Sequence, residues 1–110
     1  MKFIETKYFL DQLDKLSSKY HRIHEDYEDL KATFNPTFST NLWDECYKHR
    51  FKNSTIPTWQ RWWFRFIIKV LWDKALPLLV YSKTMKTDIK SEELKEAIRM
   101  VLTEIKKKLD

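Results

Sequence analysis

The sequence predicts an α+β domain in which helices pack against an antiparallel sheet. Two periodicities predict it. Apolar residues recur at spacings of three and four between Phe9 and Phe34 and again between Leu94 and Ile105, which is helical. From Cys46 the period changes to two, with aromatic and cationic residues alternating, which is the pattern of a half-buried strand. A strand, two helices, three strands and a final helix is the order of an α+β chain.

Each element follows from its residues. Lys2–Thr6 reads as a short strand. Phe9, Leu10, Leu13, Leu16 and Tyr20 form one helical stripe. His21-Arg22 is a brief connection. A second helix runs from about Ile23 to Thr33, with Ile23, Tyr27, Leu30 and Phe34 on its stripe. So short a link favours an antiparallel helical hairpin. Residues 35–41 are a loop by their Asn, Pro, Ser and Thr content. Tyr47, His49 and Phe51 then alternate with Lys48, Arg50 and Lys52 in a first central strand. Residues 53–63 are rich in turn formers. Phe64–Leu71 is the second strand, with Phe64, Phe66, Ile68 and Val70 opposite Arg65, Ile67, Lys69 and Leu71. Trp72-Asp73-Lys74 is a tight connection. Leu76–Ser82 is a third strand, apolar enough to be central. Ser91 is a candidate N-cap, with Glu92 and Glu93 in the first turn of a final helix. Leu94, Ala97, Ile98, Val101, Leu102 and Ile105 are its apolar stripe, and Lys106–Lys108 suit its C-terminal dipole.

Length and composition fit one small domain over residues 1–110, with 43% apolar and 34% charged residues. The longest apolar run, Ala75–Tyr81, is too short to span a bilayer. The first residues lack the apolar core of a signal peptide. Cys46 is the single cysteine, which excludes an internal disulfide and fits a reducing, cytoplasmic setting. The charge is unevenly spread. Residues 1–45 carry 6 Lys/Arg against 9 Asp/Glu, residues 46–90 carry 10 against 2, and residues 91–110 carry 5 of each. A cationic block built on strands points to a polyanion partner, nucleic acid before membrane.

Strand parity gathers the cations. Lys48, Arg50 and Lys52 share one side of the first central strand, Arg65 and Lys69 can share it on the second, and Tyr81 and Lys83 lie together on the third. Arginine can hold phosphate oxygens in two-pronged fashion. Crowding can lower a lysine's proton affinity enough for it to act as a base. His49 has the parity of Tyr47 and Phe51, so it belongs to the core side. His21 and His24 lack partners at metal spacing, so no zinc site is read. Asp44-Glu45 reads as a loop pair.

The strand Cys46-Tyr47-Lys48-x-Arg50-Phe51-Lys52, the arginine-bearing next strand, and Leu78-Leu79-Val80-Tyr81-Ser82-Lys83 before a C-terminal helix together resemble the RelE/ParE toxin superfamily. More narrowly, the chain is similar to its RelE-like endoribonucleases from type II toxin–antitoxin systems. The resemblance implies a β-α-α-β-β-β-α fold. It also implies metal-independent cleavage of mRNA, often on the ribosome, with no cofactor, and neutralisation by a cognate antitoxin. Such cleavage uses the neighbouring 2′-OH as nucleophile and needs a base, charge stabilisation and an acid. By resemblance Lys52 or Lys48 is the base, and Arg65 with Arg50 stabilises the transition state. Tyr81 is a stacking residue or acid, and Lys83 an acid or phosphate anchor. Arg61, Lys69 and Lys86 contact RNA. The alternatives are a ParE-like, non-enzymatic gyrase inhibitor and a catalytically silent RNA binder.

One departure is systematic. The chain has no glycine and five tryptophans, whereas average usage of ~7% would give roughly 8 glycines. Trp43, Trp59, Trp62, Trp63 and Trp72 all fall where such relatives are expected to have glycine. UGA codons read as tryptophan instead of glycine would produce this pattern. A base-stacking platform and ordinary core residues are the rival readings.

Overall fold

The computed structural model describes residues 1–56, 63–82, 85 and 88–109. It is α+β, with three helices and a five-stranded mixed sheet. The strands are β1 (Lys2–Phe3), β2 (Thr40–Asn41), β3 (Cys46–Phe51), β4 (Phe64–Leu71) and β5 (Lys74–Ser82). The helices are α1 (Lys7–Ser17), α2 (Ile23–Thr33) and α3 (Ser91–Leu109). In space the strands run β1-β5-β4-β3-β2.

The expected three antiparallel strands are present as β3, β4 and β5, and two short strands extend them. β1 lies parallel to β5, pairing Lys2 with Lys74 and Phe3 with Ala75. It is shorter than Lys2–Thr6 because Thr6 leaves the strand to cap α1, accepting the Phe9 N–H at 3.3 Å. β2 pairs antiparallel with β3 at the other edge. β4 is the middle strand, and β5 is interior as its apolar content predicts, lying between β1 and β4. α1 stops at Ser17, short of Tyr20, and Ser91 is the first residue of α3 rather than an N-cap.

Alternation along β4 explains the layers. Phe64, Phe66 and Ile68 face α1 and α2, where they bury Phe9, Leu13, Ile23, Tyr27 and Leu30. Within this layer Phe9–Tyr27 and Tyr27–Phe66 ring centroids lie 5.3 and 5.9 Å apart, contacts worth about 0.5–1.5 kcal/mol each beyond area burial. Ile67 faces the other way, with Cys46, Leu76, Leu78 and Tyr81, and α3 covers that side through Leu94, Ala97 and Val101. Leu102, read as part of the stripe, is exposed. The sheet is thus buried on both faces, so any charge on β4 enters the interior.

Two side chains lock the helices onto this frame. The Glu104 carboxylate of α3 accepts the Lys7 and Tyr8 N–H groups at 2.6 and 3.2 Å, satisfying open donors at the start of α1. Beyond β1, the edge of β5 is met by the Gln12 side chain of α1. Its amide donates to the Leu78 carbonyl at 3.0 Å and accepts the Val80 N–H at 3.2 Å. That stands in for a neighbouring strand where β5 would otherwise present bare backbone.

Tight turns are made without glycine. Asp44 and Glu45 have φ of 53° and 60°, and Cys46 N–H donates to the Trp43 carbonyl at 3.0 Å. That is a type I′ turn. Trp72 has φ of 60° in the two-residue β4–β5 hairpin, a place where glycine is usual. Trp43 and Trp63 are exposed and Trp72 is 93% exposed, so these three are not core residues. Trp59 and Trp62 lie outside the described residues. A β-carbon at positive φ carries a strain that glycine lacks, so Trp72→Gly should stabilise the fold by about 1 kcal/mol. Thermal unfolding should show this as a Tm rise of roughly 4–8 °C, with no rise for Trp72→Ala. A lower Tm for Trp72→Gly would contradict the strain.

Candidate functional site

The α3-facing side of the sheet carries a cross-strand row. Arg50 of β3 is directly opposite Arg65 of β4, and Arg65 is directly opposite Tyr81 of β5. Like charges placed opposite one another oppose strand pairing. The two arginines are also unequally placed. Arg50 is exposed, whereas Arg65 is only 8% exposed. Its Nε and Nη1 are buried with no hydrogen-bond partner among the described residues. Buried guanidinium groups are normally paired, because leaving them bare costs several kcal/mol, on the order of 3–5 in mutational tests.

Tyr81 closes the row. Its ring is buried in the α3-side cluster. Burial pushes its phenol pKa up, helped by Asp88 and Glu93, while Arg65 and Arg50 oppose the shift. The phenol therefore keeps its proton at neutral pH and can donate it. A ring this deeply buried has no free face for a base, and its hydroxyl is equally buried, so either expected role requires RNA to reach into the row.

Lys48 lies one position away, opposite Ile67, with its side chain 16% exposed and its ammonium 3.8 Å from the Asp88 carboxylate. Two other cations read as site residues are engaged elsewhere. Lys69 is buried, donates to the Asp44 carbonyl at 2.6 Å and pairs with the Asp44 carboxylate at 3.2 Å. It fastens the β2–β3 turn, and its ammonium is engaged there rather than free beside the row. Lys52 lies past the end of β3, and its ammonium is 2.9 Å from Asp29 of α2. Asp29 raises its pKa by hydrogen bond and charge. The pair occupies Lys52 in the described structure, so the base role expected of it would require that pair to break. Arg61, Lys83 and Lys86 lie outside the described residues.

His49 takes the core side that its parity predicts. Its Nδ1 is 2.7 Å from Ser39 Oγ, Phe34 meets it edge-on at 5.2 Å, and Phe51 stacks at 6.0 Å. The start of the β3–β4 loop is clamped to α2. The buried Asp26 carboxylate accepts the Ser54 N–H at 2.9 Å and the Ser54 hydroxyl at 2.6 Å. Asp29, Asp44 and Asp88 are the residues that sequence reasoning missed. Parity groups the cations but carries no signal for carboxylates arriving from other elements.

Among the described residues no three His, Cys, Asp or Glu side chains cluster to hold a metal ion. No helix among them is long and apolar enough to cross a membrane. A groove between α1 and the end of α3 is lined by Glu5, Asp11, Asp14 and Glu104 against Lys7 and Lys108, a balance that disfavours a polyanion. No protein-family model and no curated protein matches the chain.

Burial holds the His49 imidazole below its usual 6.5. The unfolded chain then takes up the proton more readily, so His49 contributes stability above that value and the contribution fades as pH falls below it. Denaturant midpoints at about pH 7.5 and about pH 5.5 check the sign. The wild type should lose more stability over that interval than His49→Gln does. Equal losses would count against a buried neutral imidazole.

Proposed function

We propose that this chain is a metal-independent endoribonuclease that cleaves mRNA, the toxin of a type II toxin–antitoxin pair. The observation that carries the proposal is Arg65, a buried guanidinium whose Nε and Nη1 have no partner among the described residues, set directly between Arg50 and Tyr81. Two arginines side by side suit the non-bridging oxygens of a phosphodiester. The exposed Arg50 draws the phosphate in, and the buried Arg65 binds where the low dielectric strengthens the contact.

In the reaction the 2′-oxygen attacks the adjacent phosphorus and the P–O5′ bond breaks, leaving a 2′,3′-cyclic phosphate and a 5′-hydroxyl. Arg65 and Arg50 stabilise the charge that builds on the phosphorane. Tyr81 gives its phenolic proton to the leaving 5′-oxygen. Lys52 and Lys48 each pair with a carboxylate, Asp29 and Asp88, and Lys48, the one that adjoins the row, is the base candidate for the 2′-hydroxyl in its uncharged form. The ribosome is the proposed setting and the cytoplasm the proposed compartment. A cognate antitoxin that covers the cationic row would silence it.

A catalytically silent RNA binder is the second reading. It is favoured by the position of His49, the customary base, on the opposite face of the sheet from the arginine row. A ParE-like gyrase inhibitor has no need of a phosphate grip and is the weaker alternative. Cleavage of single-stranded RNA by the wild type and by Arg50→Ala/Arg65→Ala decides. The double variant should lose on the order of a hundredfold or more in rate, with circular dichroism unchanged. Undiminished cleavage by the variant would contradict the site. Wild-type binding that weakens with salt but yields no cleavage would select the silent binder.

A further inference from the structure

Asp88 is an acidic residue standing in the cationic site. Its carboxylate is 3.8 Å from the Lys48 ammonium, and its side chain is 70% exposed while that of Lys48 is 16% exposed. At that separation the pair is electrostatic, too long for a hydrogen bond. A carboxylate oxygen also accepts the adjacent Ile89 N–H at 2.9 Å, which holds the group against its own backbone. The ion pair of Asp88 with Lys48, which lies beside the row on β3, places Asp88 on the same side of the sheet as the row.

We propose that Asp88 is an internal competitor for the site, an anion that screens Lys48 and the arginine row and must yield before an RNA phosphate binds. This rests on the row being a phosphate site. The pair is loose, so a phosphate oxygen that reaches hydrogen-bonding distance of Lys48 displaces it. Asp88 thereby raises the threshold for engagement. A single contact gains little against the carboxylate, whereas a strand that contacts Arg50, Arg65 and Lys48 together overcomes it.

The test uses a fluorescent single-stranded 2′-O-methyl oligonucleotide, which 2′-attack cannot cleave, and anisotropy at low salt. Wild type, Asp88→Asn, Glu92→Gln and Arg65→Gln are compared. Glu92 is exposed in the first turn of α3 and pairs with no cation among the described residues, so Glu92→Gln removes the same charge without releasing Lys48. Asp88→Asn should bind about two- to fivefold tighter than Glu92→Gln, the range expected for one exposed ion pair. Equal affinities of those two variants, or weaker binding by Asp88→Asn, would overturn the competitor role. The Arg65→Gln arm tests the underlying site separately. Its affinity should fall, and an unchanged value would count against the phosphate site even where Asp88→Asn binds tighter.

Discussion

A guanidinium drawn out of water needs an anion, and Arg65 has none in the described chain. Its position follows from the architecture. β4 is the middle strand of a sheet covered by α1 and α2 on one face and α3 on the other. Any side chain at Arg65 is therefore carried into the interior, and its neighbours across the sheet are another arginine and a tyrosine. Folding alone gives no reason for that choice. An apolar residue of similar volume would remove an uncompensated charge, often at no cost or with a gain in stability.

Other cations show what the chain does when charge serves structure. Lys69, equally buried on the same strand, receives both the carbonyl and the carboxylate of Asp44. Lys52 receives Asp29, and Lys31 receives Glu5 and Glu28. Each of these pairs joins separate segments or successive turns of a helix. Arg65 stands apart because it is buried and, among the described residues, no carboxylate pairs with it. The frame around it is firmly held. Glu104 ties α3 to the start of α1, Gln12 guards the β5 edge, and Asp26 anchors the start of the β3–β4 loop. A rigid support with one unmet charge is the arrangement that preorganised anion binding requires.

Much of this was legible in the chain because period two and period 3.6 differ so plainly. Alternation along β3 and β4 put Lys48, Arg50 and Arg65 on one side and His49 on the other, and the strand register agrees. Local pattern could not reveal contacts between distant elements. The Lys52–Asp29 pair joins β3 to α2, and the Lys69–Asp44 pair joins β4 to a turn. The parallel pairing of β1 rests on two residues, too few for any periodicity. Trp72 is a different case. Its residue type argues for burial, but the two-residue hairpin demands positive φ and turns the ring into solvent.

The central claim is that Arg65 is kept for a ligand and at a cost to the fold. Thermal unfolding of Arg65→Met tests it most directly, since methionine fills the space of the stem without the charge. The account predicts a Tm equal to or above that of the wild type, because a buried unpaired cation has been removed. A Tm lower by several degrees would make Arg65 a structural residue and contradict the account.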